Sequence, residues 1–153
     1  MKRISIFLVG ILLVGAIIAA LAGARIAPPP ARQALFHTVE LRRTKLGRIL
    51  VNSAGSILYE FAGDPRNRDT CVKVSGCQAI WLAMPVQGRP SAGPGVRASL
   101  LSRIPIAGGI EQVTYAGHPL YLYSAAPTAT SYVGTKAFGG RWYALNAKGQ
   151  AVR

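Results

Sequence analysis

The feature that most constrains this chain is an internal repeat. Gly55-Ser56-Ile57-Leu58-Tyr59-Glu60-Phe61 aligns with Gly117-His118-Pro119-Leu120-Tyr121-Leu122-Tyr123 at an offset of 62, and Val51 aligns with Val113 at the same offset. Trp81 aligns with Trp142 at an offset of 61. Each copy reads as a strand, a Gly turn, a strand carrying Leu-Tyr-x-aromatic, a long loop, then Trp. Ile57, Tyr59 and Phe61 alternate onto one face of their strand. Two such units can bury their apolar faces against each other, so a pseudo-twofold single domain is the simplest architecture. The copies are placed at about 44–85 and 106–146.

Around the repeat, short β-prone runs are separated by Gly, Pro, Asn and Asp, which is the pattern of a mainly antiparallel β domain. Strands are predicted at 36–41, 48–52, 56–61, 102–106, 110–115, 120–123 and 141–145. Asn52-Ser53-Ala54-Gly55 and Tyr115-Ala116-Gly117-His118 are turn signals. Short helices are predicted at 78–84 and 97–101.

The N-terminus differs in character. Lys2 and Arg3 precede an uncharged run from Ile4 to Ala24, long enough to span a bilayer as a helix and also readable as a signal-peptide core. Ala22-Gly23-Ala24 fits a small-residue cleavage site. The expected organisation is a signal peptide or membrane-anchor helix at 1–24, a Pro-rich linker at 25–34 and a two-repeat β domain at 35–153. That places the domain outside the cytoplasm, membrane-anchored or secreted.

With 18 Lys and Arg against 5 Asp and Glu, the chain favours anionic partners such as lipid headgroups or an acidic wall polymer. The basic residues are scattered, apart from Arg42, Arg43, Lys45 and Arg48. No basic stripe interleaved with aromatics occurs, so nucleic acid is not an expected partner. Hydrolytic chemistry lacks material: Ser99, Ser102 and Ser124 have no nucleophile-elbow context. His37 and His118 lie far apart without ligand spacing, and His118 reads as a solvated turn residue, so no metal or other cofactor is expected. Cys71 and Cys77 are the only cysteines. In an exported domain they read as a disulfide pinning the loop after Asp64, with a redox pair beside Arg66, Arg68 and Lys73 as the alternative.

Asp64 reads either as a loop-holding residue before Pro65 or as a ligand contact beside Tyr59 and Phe61. The aromatics Tyr115, Tyr121, Tyr123, Tyr132, Trp142 and Tyr143 gather in the second copy. With Tyr59, Phe61 and Trp81 they form either core packing or a partly exposed binding row.

Tyr59-Glu60-Phe61-Ala62-Gly63-Asp64 fits the Tyr-x-aromatic-x-x-Asp motif of the bacterial secreted-repeat lipoproteins of unknown function, and the chain resembles that family over roughly 44–150. The Cys pair before Trp81, Ala98-Ser99-Leu100-Leu101, the run from Gln112 to Tyr121 and Gly140-Arg141-Trp142-Tyr143 extend the likeness. There are three departures. No lipobox Cys is present, Ala126 stands where a second Asp would align, and the cysteines are spaced Cys-x5-Cys instead of Cys-x3-Cys. The resemblance implies an envelope or surface protein and transfers no reaction. The expected function is therefore a non-enzymatic extracytoplasmic binding or interaction module near the membrane or wall. The alternative is a redox or metal-handling protein using the Cys71/Cys77 loop.

Overall fold

The first ordered ladder is a hairpin of β1 (Glu40–Thr44) and β2 (Gly47–Val51), paired in register from Glu40 opposite Val51 to Thr44 opposite Gly47. The computed structural model describes residues 38–153. The expected apolar helix at 1–24 and the linker at 25–34 lie outside the described residues. Among the described residues no helix is long and apolar enough to cross a membrane.

The remaining elements are short. They are β3 (Tyr59–Phe61), α1 (Cys77–Ile80), β4 (Trp81–Ala83), β5 (Pro85–Val86), β6 (Leu101–Pro105), β7 (Glu111–Tyr115), β8 (His118–Pro119), β9 (Tyr121–Tyr123), β10 (Lys136–Ala137), β11 (Gly140–Leu145) and β12 (Ala151–Val152). The domain is mainly β, with antiparallel sheets. One sheet runs β10-β11-β3-β9-β4, with β12 on β11; a second runs β5-β7-β6, with β8 on β7.

The predicted strands at 48–52, 102–106, 110–115, 120–123 and 141–145 lie within a residue of observed ones. Four expectations change. The first strand begins at Glu40 and runs on through Arg42 and Arg43, because hairpin pairing with β2, not side-chain hydrophobicity, holds it. In the 56–61 segment only Tyr59–Phe61 is ladder; Ile57 makes an isolated bridge to Val51. The helix expected at 78–84 stops at Ile80, because Trp81–Ala83 pairs instead with Tyr121–Tyr123. The helix expected at 97–101 is a single 3-10 turn, Ala98–Leu100.

The centre of the first sheet follows from the two Leu-Tyr segments. β3 and β9 lie side by side, antiparallel, with Tyr59 opposite Tyr121. Each is flanked by the Trp strand from the other half of the chain. On β3, Trp142, Tyr143 and Ala144 of β11 face Phe61, Glu60 and Tyr59. On β9, Trp81, Leu82 and Ala83 of β4 face Tyr123, Leu122 and Tyr121. Strand alternation then gives the sheet two unlike sides. One buries Tyr59, Phe61, Trp81, Tyr121, Trp142 and Ala144 with Ile49, Val51, Ile57 and both cysteines. The other buries Leu58, Leu120, Met84 and Leu145 with Val39, Leu50, Val113 and Tyr115.

The turns entering the two Leu-Tyr segments hold glycines at positive φ, Gly55 at 79° and Gly117 at 80°. A Cβ there would first meet only an Arg tip, Arg42 at Gly55 and Arg66 at Gly117. Those tips can move, so the backbone sets the cost. Gly55→Ala and Gly117→Ala should each lose about 1–2 kcal/mol. Urea titrations should show lowered midpoints of similar size with unchanged slopes.

Candidate functional site

The candidate residues converge on the aromatic side of the first sheet. Trp81 and Trp142 stack face to face, with centroids 4.0 Å apart and planes 3° from parallel. Phe61 stacks on Trp142 at 4.5 Å, and Tyr123 tilts against Trp81 at 4.9 Å. Tyr132 then stacks on Tyr123 at 3.9 Å. Tyr59 meets Trp81 edge-on, and Tyr121 meets Trp142 in the same way, each at 5.1 Å. Such pairs add about 0.5–1.5 kcal/mol each beyond area burial.

Tyr59, Phe61, Trp81, Tyr121 and Trp142 are all buried, Phe61 being the most accessible at 5%. The option of an exposed binding row therefore does not hold for these five; they are core. Phe61 is also closely walled. A Cβ at Gly63 or Gly140 would collide with its ring, so both positions exclude a side chain while the ring keeps its place on Trp142. Within the stack Tyr123 and Tyr132 remain partly open, and Tyr143, next to Trp142 on β11, is partly open as well.

The two central tyrosine hydroxyls leave the aromatic layer in a matched way. Tyr121 donates to Asp64 Oδ2 at 2.6 Å. Tyr59 donates to the Ala129 carbonyl at 2.8 Å. Each hydroxyl thus holds the loop that follows the other Leu-Tyr strand. A carboxylate accepts in one loop and a backbone carbonyl in the other. The loops reinforce this exchange: Ile57 N–H donates to Pro127 O, Asn67 N–H donates to Gly117 O, and Arg66 donates to Ala116 O. Burial pushes the Tyr59 phenol up to about 12, with Tyr132 and Tyr123 adding to it. Burial first, then Asp64, pushes the Tyr121 phenol well above its ordinary range. Neither phenol is poised to lose a proton at neutral pH.

Asp64 is therefore the loop-holding residue of its two sequence readings. Its Oδ1 accepts from Thr70 N–H at 2.8 Å and from Thr70 Oγ1 at 2.5 Å. Asp69, which sequence reasoning passed over, does the same one turn later. It is 4% exposed and accepts from Val72 N–H and Gln78 Nε2. Its bond from Val72 N–H is a local capping pattern before the 3-10 turn at Cys71–Lys73, whereas its bond from Gln78 exists only once the loop is folded.

Cys71 and Cys77 form a disulfide with Cα atoms 5.5 Å apart. Both are fully buried against the aromatic layer. His118 corrects the expectation of a solvated turn residue. Its Nδ1 pairs with Glu60 Oε2, and Glu60 is itself buried on the opposite side of β3 from Tyr59. Met84 belongs to the aliphatic cluster.

Two outcomes follow. Burial is the main cause raising the Asp64 carboxyl, and the Thr70 and Tyr121 hydrogen bonds oppose it. A folded-state value above the unfolded one, about 3.9, means a contribution to stability that is full below 3.9 and lost as pH rises through the folded value. Relative to Asp64→Asn, the native chain should thus gain stability on acidification from neutral pH towards about pH 4. Denaturation midpoints across that window measure it. For the disulfide, Cys71→Ala/Cys77→Ala should cost about 2 kcal/mol from loop entropy. Cys71→Ser/Cys77→Ser should cost about 1–3 kcal/mol more, because the hydroxyls are buried in a core. Both variants should be cut by protease between Asp64 and Cys77 faster than the native chain.

No family model, no curated protein and no solved structure matches this chain.

Proposed function

We propose that the chain is a non-enzymatic extracytoplasmic envelope protein, exported or anchored by its apolar N-terminal segment, whose β domain binds anionic partners at the membrane or wall. The observation that carries the reading is the disposition of charge. Four of the 18 Lys and Arg lie before residue 38. Of the other 14, one, Arg103, has a carboxylate partner among the described residues, Glu111. Three of the five acids are occupied inside the fold: Glu60 by His118, Asp64 by Tyr121 and Thr70, Asp69 by Val72 and Gln78. With those three acids taken up by structure, Glu40 and Glu111 are left against 14 described Lys and Arg, a balance whose field draws anionic surfaces and polymers.

The disulfide is compatible with an oxidising compartment outside the cytoplasm. Its full burial weighs against the redox or metal-handling alternative, since thiol exchange needs an accessible sulfur.

The domain is further read as two like units that exchange their Trp strands and loops about the Tyr59–Tyr121 pair. The matching registers on β3 and β9, the matched edge contacts of Tyr59 and Tyr121, and the matched φ of Gly55 and Gly117 support this. Likeness to the secreted-repeat lipoproteins is proposed on the same motifs.

A reporter active only outside the cytoplasm, fused after Arg153, should be active, and a cytoplasm-dependent one silent. The reverse pattern overturns the location. Mass spectrometry of the mature N-terminus decides between a cleaved segment, beginning at Arg25, and a retained anchor.

A further inference from the structure

The β1–β2 hairpin carries four of the exposed cations, Arg42, Arg43, Lys45 and Arg48. The ladder divides their roles. Arg42 lies opposite Ile49, and its Nη1 donates to the Gly55 carbonyl at 2.9 Å, so it is engaged in the fold. Arg43 lies directly opposite Arg48. Like charges facing each other across a ladder are destabilising. Nothing among the described residues offsets the pair: no carboxylate lies within 4.0 Å of Arg43, Lys45 or Arg48. Glu40, the hairpin's one acid, sits on the Arg42 side, opposite Val51. Lys45 lies in the turn beside this pair. The strands themselves are held by Ile49, Leu50 and Val51, all buried, so the cationic end projects from a fixed base. The Arg48 guanidinium lies against Gly95, and with Arg43 and Lys45 it makes a cationic end that no carboxylate neutralises, complementary to the phosphate of an anionic partner.

The choice of phosphate source follows from the order of the chain. Among the described residues the hairpin is the first element, and residues 25–39 separate it from the apolar run. A fifteen-residue tether spans at most roughly 50 Å even when fully extended. In the anchored form such a tether would keep the hairpin at high effective concentration near lipid.

We propose that Arg43, Lys45 and Arg48 form a docking surface for anionic phospholipid headgroups of the membrane that holds the N-terminal segment. This rests on the anchored form of the function proposed above. Each cation near an anionic surface favours docking roughly fivefold, so the three together give on the order of 100-fold.

The test uses the full-length chain in nanodiscs of pure phosphatidylcholine and in nanodiscs containing phosphatidylglycerol. Acylation of Lys45 by an amine-reactive reagent is followed by mass spectrometry, with Lys136 and Lys148 as internal references. Docking should slow Lys45 severalfold or more in the anionic discs alone, and high salt should abolish the effect. Arg43→Ser/Arg48→Ser should remove most of the protection while leaving the melting temperature equal or higher, because the substitutions are exposed and relieve repulsion. Equal Lys45 reactivity in both discs, with the chain firmly inserted, overturns the docking surface and leaves the envelope assignment standing. Protection by a soluble polyphosphate in neutral discs, without protection by phosphatidylglycerol, overturns lipid in favour of a polymer. A chain that does not stay in the discs overturns the anchor and, with it, tethered docking.

Discussion

The rest of the domain depends on the stack of Trp81 on Trp142. β3, β4 and β9 are three residues long, too short to hold a ladder by backbone hydrogen bonding alone. Two buried indoles in face-to-face contact supply the area that makes this short central sheet worth forming. Their positions are demanding. Each Trp must enter on the strand flanking the other half's Leu-Tyr segment, which fixes the order β11-β3-β9-β4 and both registers together. Phe61 and Tyr123 then extend the stack outward, and the close walls at Gly63 and Gly140 keep Phe61 in line. Once the aromatic side is fixed, strand alternation sends Leu58, Leu120 and Leu145 to the opposite side, where β7 covers them with Val113 and Tyr115.

The loops are held by the same exchange. A tyrosine hydroxyl buried in an aromatic layer must find an acceptor. Tyr121 finds Asp64 and Tyr59 finds the Ala129 carbonyl, each in the loop from the other half. Asp64 is thus committed twice over, to Tyr121 and to Thr70, and the disulfide closes the loop just beyond it. These features look like site chemistry in a sequence: a motif aspartate, a cysteine pair and an aromatic cluster. In the fold they answer to burial and hydrogen-bond satisfaction. Four exposed cations, Arg42, Arg43, Lys45 and Arg48, lie on the hairpin, which contributes Ile49, Leu50 and Val51 to the core.

The sequence by itself determined the β class, most strand positions and the disulfide partners. Period-2 alternation, Gly turns and a repeated spacing are local signals, and local backbone preference is enough to express them. Tertiary structure alone decided that the Trp strands are exchanged between halves, and that Trp81–Ala83 is strand where a helix fits equally well locally. It also decided that His118 pairs with Glu60, and that Arg43 faces Arg48 uncompensated. Each of these depends on which segments become neighbours across large sequence separations. That is set by where two indoles can be buried together, a condition no single stretch of sequence carries.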